Sequence, residues 1–556
     1  MKRAVLGGAV GAAFILCWMG ARIQPAALVD PANVRAVGAF ARGLFPPDVS
    51  PAFLRVVGEA TVRTLGISIA GTVLSAVLGL LLGILGTASL WRRGPLVEAD
   101  GSGFASALSL GAKGLARFLR SVPDLVWALL FVVGFGLGPL PGTLALAVSY
   151  AGVLGRVYAD LFEAVPEGPV LAIHSAGASR LQVFAAAIWP QAAGSVTAYT
   201  LYSFECCVRS AAVLGFVGAG GIGAEINLSM RLFEYGQVTT LLAAFVILVL
   251  CVDAFSRTLR GRFRRNAVHG SGVLRDMVEL RPVRRGRPIL WALLLVAAFG
   301  QAGFGALFAP QALPHLGRFA AQLFPPDVSP AFLASILGPL WQTVAISVIG
   351  TALGMLLGGA LAVPSTASLM FDPEAAVRPV RALLYAGARL TLALLRSIPE
   401  LIWVLLCILA VGLGPFAGVL ALGLHTAGVL GKLYAESLEE VPPDAVQELR
   451  GIGASGLQRI LWAAWPQARE TLASYTLLRW EHNLRASTVV GLAGGGGLGL
   501  ALYNAVQLGF YDRASTLVVV VFLLVSVTDA LAHRLRRRPA AETAPDSPLT
   551  LVAEAG

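Results

Sequence analysis

The chain has 556 residues, of which 56% are apolar and only 13% charged, and its mean hydropathy is +0.76. Soluble domains carry about 25% charge, so these values exclude a soluble globular protein. The net charge of +11 does not describe a nucleic-acid surface: Lys2, Lys113 and Lys432 are the only lysines, and most arginines flank apolar segments, as the positive-inside rule expects.

In chain order, apolar runs close to the roughly 20 residues that span a bilayer as helix predict helices near 4–22, 60–88, 114–137, 141–163, 194–217 and 236–258. Six more follow near 288–309, 337–363, 386–412, 416–437, 470–493 and 512–534. The first, MKRAVLGGAVGAAFILCWMGA, has the pattern of a secretory signal. Its counterpart at 288–309 lies inside the chain, so both are read as first transmembrane helices. Nine arginines between Arg260 and Arg287, against Asp276 and Glu279, form a basic linker, and His533–Arg538 and Lys2-Arg3 are basic as well. All fall on one side of a six-plus-six topology, which places that side and both termini in the cytoplasm. The tail 539–556 has a composition expected to be disordered.

The chain is written twice. LFPPDVSPAFL occurs at Leu44–Leu54 and again at Leu323–Leu333, and further on the copies run in step at an offset of 276. RSVPDL from Arg120 answers RSIPEL from Arg396, and SAAVLGFVGAGGIG from Ser210 answers ASTVVGLAGGGGLG from Ala486. A repeat this long is a duplicated domain. Six spans per copy return the chain to its starting side, so the repeat is parallel. The expected division is a first domain at 1–260, the linker at 261–287, a second domain at 288–538 and the tail at 539–556.

The five cysteines (Cys17, Cys206, Cys207, Cys251 and Cys407) lie in or beside apolar stretches without metal-site spacing, and the six histidines form no ligand cluster. No metal site and no catalytic residue is expected. A phosphate-binding loop needs G-x4-G-K-[ST], and Gly431-Lys432 is followed by Leu433. Gly218-x-Gly220-x-x-Gly223 and Gly494-x-Gly496-x-x-Gly499 match a dinucleotide fingerprint in letters. They follow a membrane helix rather than a strand, so that reading fails. With Gly221 and Gly497 they are read as gate glycines, a flexible or tightly packed helix end at the outer mouth of a pathway.

Two polar segments with helical composition, 164–193 and 438–469, fall on the cytoplasmic side between the fourth and fifth spans. The first has Ala172, then Gly177-Ala178-Ser179, then Pro190; the second has Glu448, then Gly453-Ala454-Ser455, then Pro466. In both copies glycine and proline stand thirteen residues apart. This pattern resembles the coupling loop E-A-A-x3-G-x9-I-x-L-P of permease subunits of ATP-binding-cassette importers. The Glu-Ala-Ala triplet is degraded, and Trp189 and Trp465 stand where leucine is usual. RSIPELIWVLL, SYTLLRWEHNLRAST and YTLYSFECCVRSAAVLGFVGAGGIG are similar to the phosphonate-transport permeases in particular. The resemblance implies an all-α type I importer fold of about 12 transmembrane helices, six per copy, in the bacterial inner membrane. It implies that two copies of a separate cytoplasmic ATPase, which bind ATP and Mg, dock on the two loops. An extracytoplasmic binding protein would deliver a phosphorus oxyanion, and alternating access would carry it inward. Lipid surrounds the chain, and no nucleic acid is involved.

Charges within spans are the candidates for lining a translocation pathway. Glu205 and Arg209, repeated as Glu481 and Arg485, are four apart and share a helix face. An isolated charge at mid-bilayer costs at least about 2.5 kcal/mol, so such groups face a partner or a wet cavity. The arginines either attract an oxyanion or lock helices through salt bridges. Arg120 with Asp124 and Arg396 with Glu400, around Pro123 and Pro399, read as local salt bridges at proline kinks. The copies also differ: Ser149 becomes His425, Cys206-Cys207 becomes His482-Asn483 and Gly236 becomes Asp512. Three rival readings remain: the same machine with ferric iron or thiamine as cargo, an ATP-independent secondary transporter and a membrane scaffold.

Overall fold

The computed structural model describes residues 2–91, 103–268, 295–305, 312–371, 379–442, 448–449, 451–454 and 456–536, which form helices and no strand. The tail 539–556 and most of the linker, 269–287, lie outside them. In chain order the main helices are α1 (Lys2–Gly20), α2 (Pro31–Gly43), α3 (Pro51–Gly86), α4 (Gly103–Ser121), α5 (Asp124–Phe135) and α6 (Pro139–Glu163). There follow α7 (Glu167–Ser175), α8 (Trp189–Leu214), α9 (Ile222–Arg231), α10 (Tyr235–Val268), α11 (Ala312–Gln322) and α12 (Pro330–Ser365). The rest are α13 (Pro379–Ser397), α14 (Glu400–Val411), α15 (Pro415–Glu439), α16 (Trp465–Val490), α17 (Gly497–Gln507) and α18 (Tyr511–Arg536).

Seven described helices are long and apolar enough to cross a bilayer, and up to ten spans result if each of three bent pairs counts as one. Of the two further expected spans, 4–22 coincides with α1, whose apolar part is Gly11–Gly20, and 288–309 lies partly outside the described residues. The expected spans 114–137 and 386–412, read with kinks at their prolines, are sharply bent: α4 meets α5 at 88° and α13 meets α14 at 98°. Pro123 and Pro399 cause the breaks. Each is the N-cap of the second helix with extended backbone (φ −56°, ψ 145° and φ −57°, ψ 150°), and proline offers no N–H to continue the first.

The chain forms two compact units, Phe40–Phe324 and Met1–Ala39 with Pro325–Gly556. They cut the chain at other places than the 1–260 and 288–538 halves of the repeat, because each first helix packs with the other copy. In the second unit Cys17 and Ala21, at the end of α1, share a core with Ala345, Ile346 and Ile349 of α12. In the first unit Gln301 covers Gly66 of α3, where an added Cβ would stand 2.5 Å from the Gln301 Cβ.

Within each unit a 36-residue helix and a 25-residue helix form the centre. α3 meets α6 through Gly71, Gly79 and Gly83, where an added Cβ would lie 2.7–2.8 Å from Leu146, Leu154 and Tyr158. α12 meets α15 at Gly350, Gly354 and Gly358. Close approach through small residues is how helices associate in a lipid solvent, where burial of apolar surface gives no net gain. The hydroxyls in these helices turn back on carbonyls one turn earlier, as Thr64, Ser68 and Thr72 do at 2.6–2.9 Å. Those three hydroxyls are thereby satisfied within their own helix.

Candidate functional site

Three features carry the sequence-predicted residues. The first is the pair of polar loops. In 164–193, α7 ends in a left-handed turn at Gly177 (φ 85°), after which Ser179 caps the next helix through a reciprocal contact with Gln182 (Ser179 N to Gln182 Oε1, 2.8 Å). That helix runs on without a break past Pro190 into α8. The hairpin is anchored by Val170, Val183 and Phe184, which pack with Tyr158 and Phe162 at the end of α6. The loop at 438–469 repeats the turn at Gly453 (φ 83°), with Ala454 N donating to Leu449 O at 3.0 Å, and Pro466 again lies in the first turn of its helix. Ser455 lies outside the described residues. Around Gly453 four large apolar side chains are exposed: Ile452, Leu461, Trp462 and Trp465.

The second feature is the glycine run. Gly218 and Gly494 adopt φ of 101° and 103°, and Gly220, Gly221, Gly496 and Gly497 are also left-handed. At Gly223 and Gly499 a Cβ would collide with the Ala212 and Thr488 carbonyls. The helix is interrupted here, with a bend of 56° in the second copy, and a buried threonine ties each break down: Thr64 Oγ1 accepts from Ile222 N (2.9 Å) and Thr343 Oγ1 from Leu498 N (2.8 Å). These runs are tightly packed helix ends; helices stand on both sides, which removes the dinucleotide reading.

The third feature is the set of intramembrane charges, and here the copies part. Arg485 donates to Glu481 Oε1 at 3.0 Å, the ion pair that their spacing suggests. Arg209 instead donates to Cys206 Sγ at 3.6 Å, while Glu205 is buried. A larger network occurs in the second unit. Glu400, first residue of α14, turns to His425 Nε2 (3.2 Å) on α15 and to Arg479 (3.4 Å) and His482 Nε2 (3.8 Å) on α16. The local bridge to Arg396 expected at Pro399 is thus replaced by a tie between three helices. Behind it, Asn483 donates to Thr351 Oγ1 (2.8 Å) and Thr426 Oγ1 (2.9 Å), and Thr426 also lies 3.4 Å from Arg479 Nε.

Sequence reasoning missed Arg479, Thr426 and Thr351. Their partners lie 53 to 132 residues away in the chain, so no local pattern joins them. One signal existed: Arg479 stands where the first copy has Ser203, a charge gained within a span.

The family model described as binding-protein-dependent transport system inner membrane component matches residues 101–265 and again 375–540, more than half of the chain. The chain belongs to this family. It carries the permease domain twice in tandem. The phosphate-import permease protein PhnE of Mycolicibacterium smegmatis is 31% identical over 521 residues, 92% of this chain and 91% of the relative. The phosphite transport system permease protein PtxC of Stutzerimonas stutzeri is 34% identical over 249 residues, 45% of this chain and 86% of the relative. Among solved structures, a chain of the inward-facing methionine ABC transporter MetNI aligns with a TM-score of 0.33 at 20% identity, covering 38% of this chain and 98% of that one. The permease is therefore an all-helical, multi-span membrane component of a transport system.

Proposed function

We propose that this chain is a transmembrane permease subunit of an ATP-binding-cassette importer for phosphonate, phosphite or a related phosphorus oxyanion. The relatives named for phosphate import and phosphite transport support the cargo class. The observation that carries the coupling is the duplicated hairpin with its left-handed Gly177 and Gly453 and the exposed Ile452, Leu461, Trp462 and Trp465. Large apolar side chains left exposed on a polar loop suit a protein-docking surface. Two copies of a cytoplasmic ATPase would dock there, holding the ATP and Mg, and a binding protein would deliver substrate on the opposite side. Closure of the ATPase pair would move the hairpins as rigid bodies and switch the accessible side. Arg209 and Arg485 would line the pathway, and Gly218–Gly223 with Gly494–Gly499 would form its outer gate. The side bearing the basic linker and both termini would be cytoplasmic.

The test is uptake of radiolabelled phosphite by cells expressing the permease with its ATPase and binding protein. Ile452→Asp with Trp462→Asp is expected to abolish uptake and release the ATPase from the purified complex while the permease stays in the membrane. Unchanged uptake would overturn the docking assignment. Unchanged uptake without any ATPase would overturn the importer class.

A further inference from the structure

The copies differ most in chemistry where α14, α15 and α16 meet. His425 Nδ1 stands 3.0 Å from the Ile398 carbonyl oxygen, and Nε2 stands 3.2 Å from Glu400 Oε1. A carbonyl and a carboxylate both accept, whereas a neutral imidazole has a single N–H. Arg479 at 3.4 Å from Glu400 adds a guanidinium to the cluster. At the matching positions the first copy has Asp124, Ser149 and Ser203, none of them a cation.

Two side chains beside this cluster stay open. The His482 side chain is 38% exposed, and of its two ring nitrogens Nε2 is the one turned to Glu400. Arg485 gives one nitrogen to Glu481, keeps a buried Nε without a partner and is 23% exposed. Three residues apart on α16, they share a face. Both lie well inside a spanning helix, where an exposed charge faces water rather than hydrocarbon. Cys206 and Arg209 occupy these positions in the first copy.

We infer that His482 and Arg485, backed by the Glu400–His425–Arg479 cluster, form an oxyanion contact that reads a P–OH group. The inference rests on the importer reading above. Glu400 Oε1, 3.8 Å from His482 Nε2, favours the tautomer with its hydrogen on that nitrogen and leaves Nδ1 an acceptor. Nδ1 takes the hydrogen of P–OH while Arg485 donates to P–O⁻. Monosubstituted phosphorus oxyanions lose their second proton near pH 6, so the hydroxyl persists toward neutrality. Sulfate has acceptors only, and its oxygen would meet the Nδ1 lone pair. A site built to hydrogen-bond a hydroxyl rejects the analogue that lacks it. The charged groups facing His482 are Glu400 from α14, Arg479 and Arg485 on α16, Glu481 through Arg485, and His425 from α15 through Glu400.

The test titrates phosphite into the purified full chain in lipid nanodiscs and reads ³¹P line broadening, with phosphate or sulfate as competitor. Phosphate is expected to displace phosphite and sulfate is not. His482→Leu is expected to weaken phosphite about tenfold and erase the preference over sulfate. His482→Asn, whose amide oxygen can accept in place of Nδ1, is expected to retain it. Binding should fall as pH rises through the second dissociation of phosphite. Equal competition by sulfate, or unchanged phosphite binding by His482→Leu, would overturn the inference. If the assembled wild-type transporter takes up phosphite while the chain shows no binding that depends on His482, the inference alone falls. If that transporter takes up no phosphorus oxyanion, the importer reading falls with it.

Discussion

At the scale of single residues, stability within the spans rests on side chains that satisfy one another where no water is present. Asn483 is fully buried and bonds Thr351 and Thr426 on two other helices. Leucine there would leave the two hydroxyls without that amide, at a cost of about 1–3 kcal/mol. Asn483→Leu should lower the melting temperature in detergent by several degrees, while Cys207→Ala, at the matching site of the first copy, should lower it by less than half as much. Thr343→Val removes the acceptor for the buried Leu498 N–H and should have a comparable cost, read in the same melting experiment. Gly494→Ala places a Cβ 2.7 Å from Leu413 Cδ2 at a φ of 103° that L-residues avoid. If the glycine run is the gate, uptake should fall at least tenfold in this variant while ATP hydrolysis by the complex continues. Loss of both together would point to misfolding instead.

At the scale of elements, the chain advertised some features and concealed others. The two long central helices, the hairpins and the glycine turns could be read from apolar runs, from Gly-x12-Pro and from G-x-G-x-x-G. The sharp bends at Pro123 and Pro399 could be read only as kinks, since a hydropathy run has no direction and 114–137 looks the same straight or folded by 88°. The LFPPDVSPAFL segments prove to be caps. Asp327 takes the Ser329 N–H at 2.9 Å just before α12, its own N–H donates to Asp512 O, and Arg513 donates to its Oδ2 at 3.2 Å. Hydrogen bonds from the Ser329 side chain, then its backbone N–H, and the Arg513 charge hold the Asp327 carboxyl below its usual range. A lowered folded-state value means this stabilisation is complete above the unfolded value of about 3.9 and is lost as pH falls through the folded one. The acid side of a stability-versus-pH curve should therefore be shallower in Asp327→Asn than in wild type, and identical curves would contradict the capping role.

At the scale of the whole molecule, duplication gives the permease two domains of one design, and the structure shows where they have diverged. Each first helix packs with the other sequence copy, an exchange that no sequence pattern announces because apolar helices carry no address. Deleting residues 1–24 should expose Ala345, Ile346 and Ile349. Limited proteolysis followed by mass spectrometry should then cut within 325–536 before it cuts within 40–268. The candidate site was legible in part. Glu481 and Arg485 could be paired by spacing, whereas the Glu400 cluster needs three helices to be assembled before its charge can be counted. Polar contacts have become unequal between the copies, as His482 and Cys206 show, and so have the two polar loops, with Trp462 in one and Ala186 in the other. The central claim is that this chain moves a phosphorus oxyanion only when a separate ATPase drives it. Phosphite uptake into proteoliposomes containing the permease, its ATPase and its binding protein measures this directly. The account predicts accumulation that requires ATP inside and binding protein outside, and accumulation by the permease alone would contradict it.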